Sequence, residues 1–281
     1  FIDNINTKKN HNKKKKILNI IISKSGNTLE TISNFENLKN KKHNLFICEN
    51  SNNYIRRLAN KLKNEIVEHR NYIGGRYSVL SEVGMLPATL MGLNPKKFKR
   101  FDYLIKNKKF INSLIENVSS TVSLIKKRKL NSIILNFDEN SEDLFKWYQQ
   151  LISESLGKKS KGLLPVVSNL PRDNHSMMQL YLDGPKNSFY TFFDVLDNPK
   201  KNYLANIKLA QKKATQIVFK KKQIPFRTFD LINRSEDSLG EMFTFFMLET
   251  ILLGEAIKVN PFDQPSVELI KTETKKILKN L

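Results

Sequence analysis

The chain has 281 residues, 40% of them hydrophobic, and 48 Lys and Arg set against 27 Asp and Glu give a net charge of +21. That is enough apolar material for one large core or two smaller ones, and no run approaches the ~20 apolar residues that cross a bilayer. A single cysteine, Cys48, excludes an internal disulfide, and the four histidines (His11, His43, His69 and His175) lack zinc-site spacing. No metal or cofactor is implied. Without a secretory signal at the start, a reducing cytoplasm is the expected compartment.

The basic balance has two readings: a nucleic-acid partner, or a lysine- and asparagine-rich dialect of the kind an AT-rich genome produces. The lysines are dispersed, with short runs at Lys13–Lys16 and Lys220–Lys222, and no aromatic residues interleave with these runs to stack on bases. The second reading is preferred, and neither a nucleic acid nor a membrane is expected as partner.

In chain order, the pattern predicts a buried parallel strand over residues 17–22, a helix over 28–38, a strand over 45–48 and a helix over 54–64. A glycine-punctuated turn follows at Gly74-Gly75-Arg76-Tyr77-Ser78. Helices are expected over 83–93 and 101–114. The series then restarts: strand 132–137, helix 143–155, strand 163–167, helix 175–182, strand 189–195, helix 204–219 and strand 226–232. Residues 239–256 are apolar nearly all round and read as a buried helix, with Glu249 paired inside it. A last helix covers 266–279. Alternating strands and helices mean an α/β fold with parallel sheets.

The strand at 17–22 runs straight into Ser23-Lys24-Ser25-Gly26-Asn27-Thr28 and then a helix. Ligands bind at the carboxyl ends of such strands, and a helix N-terminus suits a phosphate. Ser/Thr residues are also ordinary N-caps, so the cluster alone leaves both readings open. The longer string, Ser23 to Thr31, resembles the phosphate loop of sugar isomerase (SIS) domains.

Four further stretches narrow the resemblance. Gly74-Gly75-Arg76-Tyr77-Ser78, Gln150-Leu151-Ile152-Ser153-Glu154-Ser155-Leu156-Gly157-Lys158, Asn174-His175-Ser176 and Pro261-Phe262-Asp263-Gln264-Pro265-Ser266-Val267-Glu268-Leu269-Ile270-Lys271 are similar, in order, to signatures of the glucose-6-phosphate isomerase family. Ser266 stands where the family has glycine. The family's first glycine-rich phosphate segment, of the form G-G-S, is not present, and the chain opens on Phe1 without an initiator Met. It therefore reads as a chain that lacks its N-terminal portion.

The resemblance implies two SIS-type three-layer αβα units with parallel sheets, the first incomplete. Residues 1–75 would belong to the first unit, 76–115 to a connection, 116–260 to the second unit and 261–281 to a C-terminal active-site helix. It implies reversible isomerisation of a sugar phosphate without a cofactor, through a cis-enediol. Glu154 would be the base, His175 and Lys271 would open the ring, and Arg76 would stabilise the enediolate. Ser23, Lys24, Ser25, Thr28, Thr31, Gln150 and Gln264 would bind substrate. His175 would reach the site from the second subunit of a homodimer. Position alone reads Glu154 as a solvated helix-end residue and His175 as a helix-start residue bonded to backbone. Lys271 has separate support: at ~100° per residue it falls in the apolar half of its helix, beside Val267 and Leu278. A non-catalytic SIS-type regulator would share the Ser23–Thr31 loop but would not need Glu154, His175 and Lys271 together.

Overall fold

The structure is a computed structural model that describes residues 17–196 and 203–280. Phe1, His11 and the lysine run at 13–16 lie outside the described residues. The chain divides into two compact units, residues 1–96 and 97–281. Both are α/β with parallel sheets, as the alternating pattern predicts.

The first unit holds β1 (Asn19–Ile22), α1 (Leu29–Glu36), β2 (Asn44–Glu49), α2 (Tyr54–Lys61) and β3 (Glu65–His69). The strands pair in parallel in the order β1-β2-β3. Parallel pairing requires crossovers, and α1 and α2 supply them. Ile21, Phe35, Phe46, Cys48, Ile55 and Ala59 form the core between sheet and helices. Only Ile21 of the β1 isoleucines is buried, because β1 pairs on one side alone among the described residues. Where the strands begin, Asn19 donates to Asn44 Oδ1 at 2.9 Å and Asn44 donates to Asn64 Oδ1 at 3.3 Å, an amide ladder that fixes their register. A 3-10 turn (Gly75–Leu80), α3 (Glu82–Leu90) and α4 (Pro95–Phe98) follow.

β3 is an addition to the expected elements. Its sequence, Glu-Ile-Val-Glu-His, lays Glu65 and Glu68 open to solvent, as an edge strand does, and so lacks an apolar run. The glycine turn is also more ordered than expected, since its residues close into a 3-10 helix.

The second unit opens with α5 (Phe101–Leu104) and α6 (Lys108–Lys126). One continuous helix over 101–114 is expected there. The break comes at Asn107, whose Oδ1 accepts from the backbone N–H of Lys109 at 3.0 Å and of Phe110 at 3.3 Å and so starts a new helix. Then come β4 (Asn131–Asn136), α7 (Glu142–Leu156), β5 (Leu164–Asn169), α8 (Met178–Asp183), β6 (Ser188–Val195), α9 (Tyr203–Lys221), β7 (Phe226–Leu231), α10 (Glu236–Ala256) and α11 (Pro265–Leu278). The four strands are parallel in the order β5-β4-β6-β7. The chain thus steps outward from β4 to β5, then returns past β4 to β6. All residues of the inner strand β6 are buried. Phe192 and Phe219 pack edge-on at 5.4 Å at the centre of an aromatic-rich core.

Glu249 is paired inside α10, as the sequence suggests. Arg227 of β7 grips it with both terminal nitrogens, the second at 3.2 Å. The same guanidinium donates to Thr191 Oγ1 at 3.0 Å and Asn117 Oδ1 at 3.2 Å, so it ties β7, α10, β6 and α6. Burying a lone charge costs far more than burying a pair. Glu249→Ala should therefore destabilise the protein by about 3–5 kcal/mol, seen as a lowered urea midpoint.

Candidate functional site

In the first unit, the loop from Ser23 to Thr28 leaves the carboxyl end of β1. Ser23 is buried and its hydroxyl shares a 2.8 Å hydrogen bond with that of Thr28. Thr28 stands at the N-cap of α1 but makes no side-chain cap bond, leaving the first turn's N–H groups uncapped by a side chain. Gly26 has φ +62°, and an added Cβ would sit 1.9 Å from Asn53 Oδ1. A glycine is required there on both counts. Asn53 in turn caps α2 through Arg56 N–H at 2.8 Å. Lys24 is half-buried, Ser25 and Thr28 are exposed, and Thr31 lies half-buried in the first turn of α1.

Arg76 lies in the 3-10 turn, which follows the carboxyl end of β3. It is buried, and its guanidinium lies 5.3 Å from the centre of the Tyr77 ring. Ser78 Oγ donates to Gly75 O at 2.6 Å and Ser81 Oγ to Ser78 O at 2.7 Å, which closes the turn. The Ser23–Thr28 loop and the Arg76 turn thus leave the sheet at one end, because all three strands run the same way.

In the second unit, Gln150 and Glu154 stand one helical turn apart on α7, and Gln150 Nε2 donates to Glu154 Oε1 at 2.9 Å. Glu154 is half-buried. Gln149, next to Gln150, donates to Pro165 O at 3.1 Å, which pins this part of α7 beside the start of β5. Lys158, just past the end of α7, is nearly buried. It donates to the carbonyl of Asn260, to Asp263 O at 2.6 Å and to Asp263 Oδ1 at 2.7 Å. It therefore anchors the segment that carries Gln264 to the helix that carries Glu154. The sequence holds Lys158 within a recognisable stretch but assigns it no role.

His175 does not open a helix. It caps a 3-10 turn (Arg172–Asn174), is exposed, and precedes α8. Asp173 explains the difference: its Oδ2 accepts from Ser168 Oγ at 2.9 Å and Asn169 N–H at 2.8 Å, folding the chain back onto the carboxyl end of β5 before α8 begins. An Asp two residues before a candidate His, after a strand, is the signal that would have located this turn.

Lys271 also differs from expectation. No residue of α11 is buried, and the Lys271 side chain is 52% exposed and paired with Glu268 at 2.6 Å. The helical wheel fixes which residues share an arc but supplies no surface for that arc to cover. Leu269, Ile270, Ile277 and Leu278 lie open on the same helix. Gln264 occupies the N-cap position of α11.

With this geometry in hand, comparison with known proteins places the chain. A family model described as phosphoglucose isomerase matches residues 2–169. The chain belongs to the phosphoglucose isomerase family. A glucose-6-phosphate isomerase from Mycoplasmopsis pulmonis is 32% identical, over 92% of this chain and 68% of its own length. One from Methanocaldococcus jannaschii is 31% identical, over 99% of this chain and 76% of its own. A crystal structure of a glucose-6-phosphate isomerase from Chlamydia trachomatis matches with a TM-score of 0.73 at 18% identity, covering 92% of this chain and 59% of that one. At that identity the match speaks for the fold. Phosphoglucose isomerase family membership agrees with the paired parallel α/β units described above. No helix among the described residues is long and apolar enough to cross a membrane.

The hydrogen bonds that fold the His175 turn also act on the Asp173 carboxyl. Burial pushes this carboxyl upward, but hydrogen bonds from Ser168, Arg172 and the Asn169 N–H outweigh this and hold it below the usual range. A carboxyl lowered by folding stabilises the protein above its unfolded pKa of about 4, and this is lost as pH falls through the lower folded value. Urea midpoints should fall below about pH 4, and Asp173→Asn should flatten that part of the acid limb.

Proposed function

We propose that this chain is a glucose-6-phosphate isomerase, which interconverts D-glucose 6-phosphate and D-fructose 6-phosphate in glycolysis and gluconeogenesis without a cofactor. Family membership with relatives of that name carries the reading. A non-catalytic phosphosugar regulator gains no support from the same relatives.

The residues take these roles. Ser23, Lys24, Ser25, Thr28 and Thr31 receive the phosphate at the start of α1, where uncapped N–H groups and the positive helix end favour an anion. His175 and Lys271 move the proton that opens the ring. Glu154 removes the C2 proton of the open aldose and returns it to C1 of the enediolate, giving the ketose. A general base of this kind contributes roughly 10²–10⁴-fold. Gln150 orients Glu154 through their hydrogen bond and, with Gln264, contacts sugar hydroxyls. Arg76 offers its guanidinium to the enediolate charge. In this reading residues 1–75 form the first phosphosugar-binding segment, 76–115 the connection, 116–260 the second SIS-type unit and 261–281 the active-site helix.

Strand direction supports a homodimer. Gln149, five residues before Glu154 on α7, is pinned to β5 at Pro165, and the His175 turn is pinned to β5 at Ser168 and Asn169. Four residue steps of extended chain lead from Pro165 to Asn169, about 13 Å at the rise of a parallel strand. Glu154 and His175 of one copy thus serve opposite ends of one sheet, and a site that uses both draws His175 from a second copy. A cytoplasmic location accords with the soluble substrate.

Two measurements test this. In the intact protein, Glu154→Gln should abolish exchange of the C2 hydrogen with solvent while substrate still binds. Exchange at the wild-type rate would rule out Glu154 as the base. Glu154→Gln and His175→Ala, each inactive alone, should regain activity when mixed as heterodimers, because one of the two sites is then intact. Mixtures that stay dead would exclude the shared site.

A further inference from the structure

We propose that His69 and Glu82 form a positioning pair that holds the Arg76 turn. The inference rests on the role given to Arg76 above. His69 is the last residue of β3 and its side chain is wholly buried. Glu82 is the first residue of α3 and is half-buried. The whole Arg76 turn lies between them in sequence, and their contact closes it into a ring. Nδ1 of His69 meets Oε1 of Glu82, and Nε2 lies 3.2 Å from the carbonyl of Ile73, three residues before Arg76.

The chemistry of the two contacts constrains the pair. The Ile73 carbonyl can only accept, so Nε2 carries a hydrogen. One further proton is then shared between Nδ1 and the Glu82 carboxyl. Partial burial pushes that carboxyl upward, but hydrogen bonding from backbone and from His69 holds it below the usual range, and its contact with His69 bridges the two flanks of the turn. The far flank is fixed by packing: a Cβ at Gly84 would lie 2.0 Å from Val79 O, so α3 sits directly on the end of the 3-10 turn. The imidazole reaches both α3 and the backbone ahead of Gly74. Neither residue contributes a group that need touch substrate. Their effect passes through the position of Arg76.

The test uses His69→Ala, Glu82→Ala and Glu82→Gln in the intact protein, with isomerase kinetics and hydrogen exchange at the amides of residues 73–78 as separate readouts. Both alanine variants should speed exchange in that segment by about tenfold or more while the strand amides keep their protection. Because a charge-stabilising group misplaced by about 1 Å costs far more in rate than in binding, kcat should fall by about tenfold or more. KM should stay within about twofold. Glu82→Gln should stay near wild type in both, since its amide can donate to Nδ1 and leave the Nε2 hydrogen for Ile73. Unchanged exchange at 73–78, unchanged kcat despite faster exchange, or a Glu82→Gln loss as large as that of Glu82→Ala would each overturn the proposal. Should His69→Ala not fold, the half-buried Glu82 variants carry the test alone. An inactive wild type would defeat the isomerase reading, and the exchange data would still decide whether the pair holds the turn.

Discussion

Strand direction is the constraint on which the arrangement depends. In a parallel sheet every strand must be followed by a crossover, so the loops that leave strands gather at one end and those that return gather at the other. In the first unit this collects Ser23–Thr28 and the Arg76 turn at one end of β1-β2-β3. In the second it does the reverse to the two residues with the clearest chemistry. Glu154 lies where α7 returns to the sheet, and His175 lies where β5 leaves it. About the length of strand β5 lies between those two positions.

Polar anchors, more than apolar packing, decide where the functional loops stand. The core residues fill space between sheets and helices, and many apolar combinations would do that. A loop at a strand end has backbone groups that need partners. Asp173 satisfies the Asn169 N–H, Lys158 satisfies the carbonyls of Asn260 and Asp263, and His69 satisfies that of Ile73. Each is a charged or titratable side chain used to fix backbone beside a residue with a proposed chemical role. These anchors are hard to replace conservatively, since shortening one leaves a carbonyl or amide without its partner.

The same distinction explains what could be read from the sequence. Apolar runs and amphipathic spacing carry the strands of the second unit, the buried α10 and the pairing of Glu249, because burial of many residues sets those patterns. β3 is hidden because its only two aliphatic residues, Ile66 and Val67, are adjacent and flanked by glutamates, and hydrogen bonding to β2 overrides that weak signal. The break at Asn107 was hidden because one capping amide outweighs continued helical spacing. Motif strings located Arg76, Glu154, His175 and Lys271 but not their settings. Burial of Arg76 and exposure of His175 and Lys271 depend on which surfaces meet, and no local pattern encodes that.

Ser266 shows how a departure from a family pattern can be absorbed. Glycine at that point would provide backbone freedom or room. The preceding residue, Pro265, is the first of α11, where its fixed φ already suits a helix and its missing N–H is not needed. Ser266 then falls within the first turn with ordinary helical geometry, so freedom has no role to play there. Room is not limiting either, since Ser266 is exposed. What the turn into α11 does require is the tether ahead of it, where Lys158 holds Asn260 and Asp263. That tether holds the segment ahead of Gln264 and α11 to the end of α7.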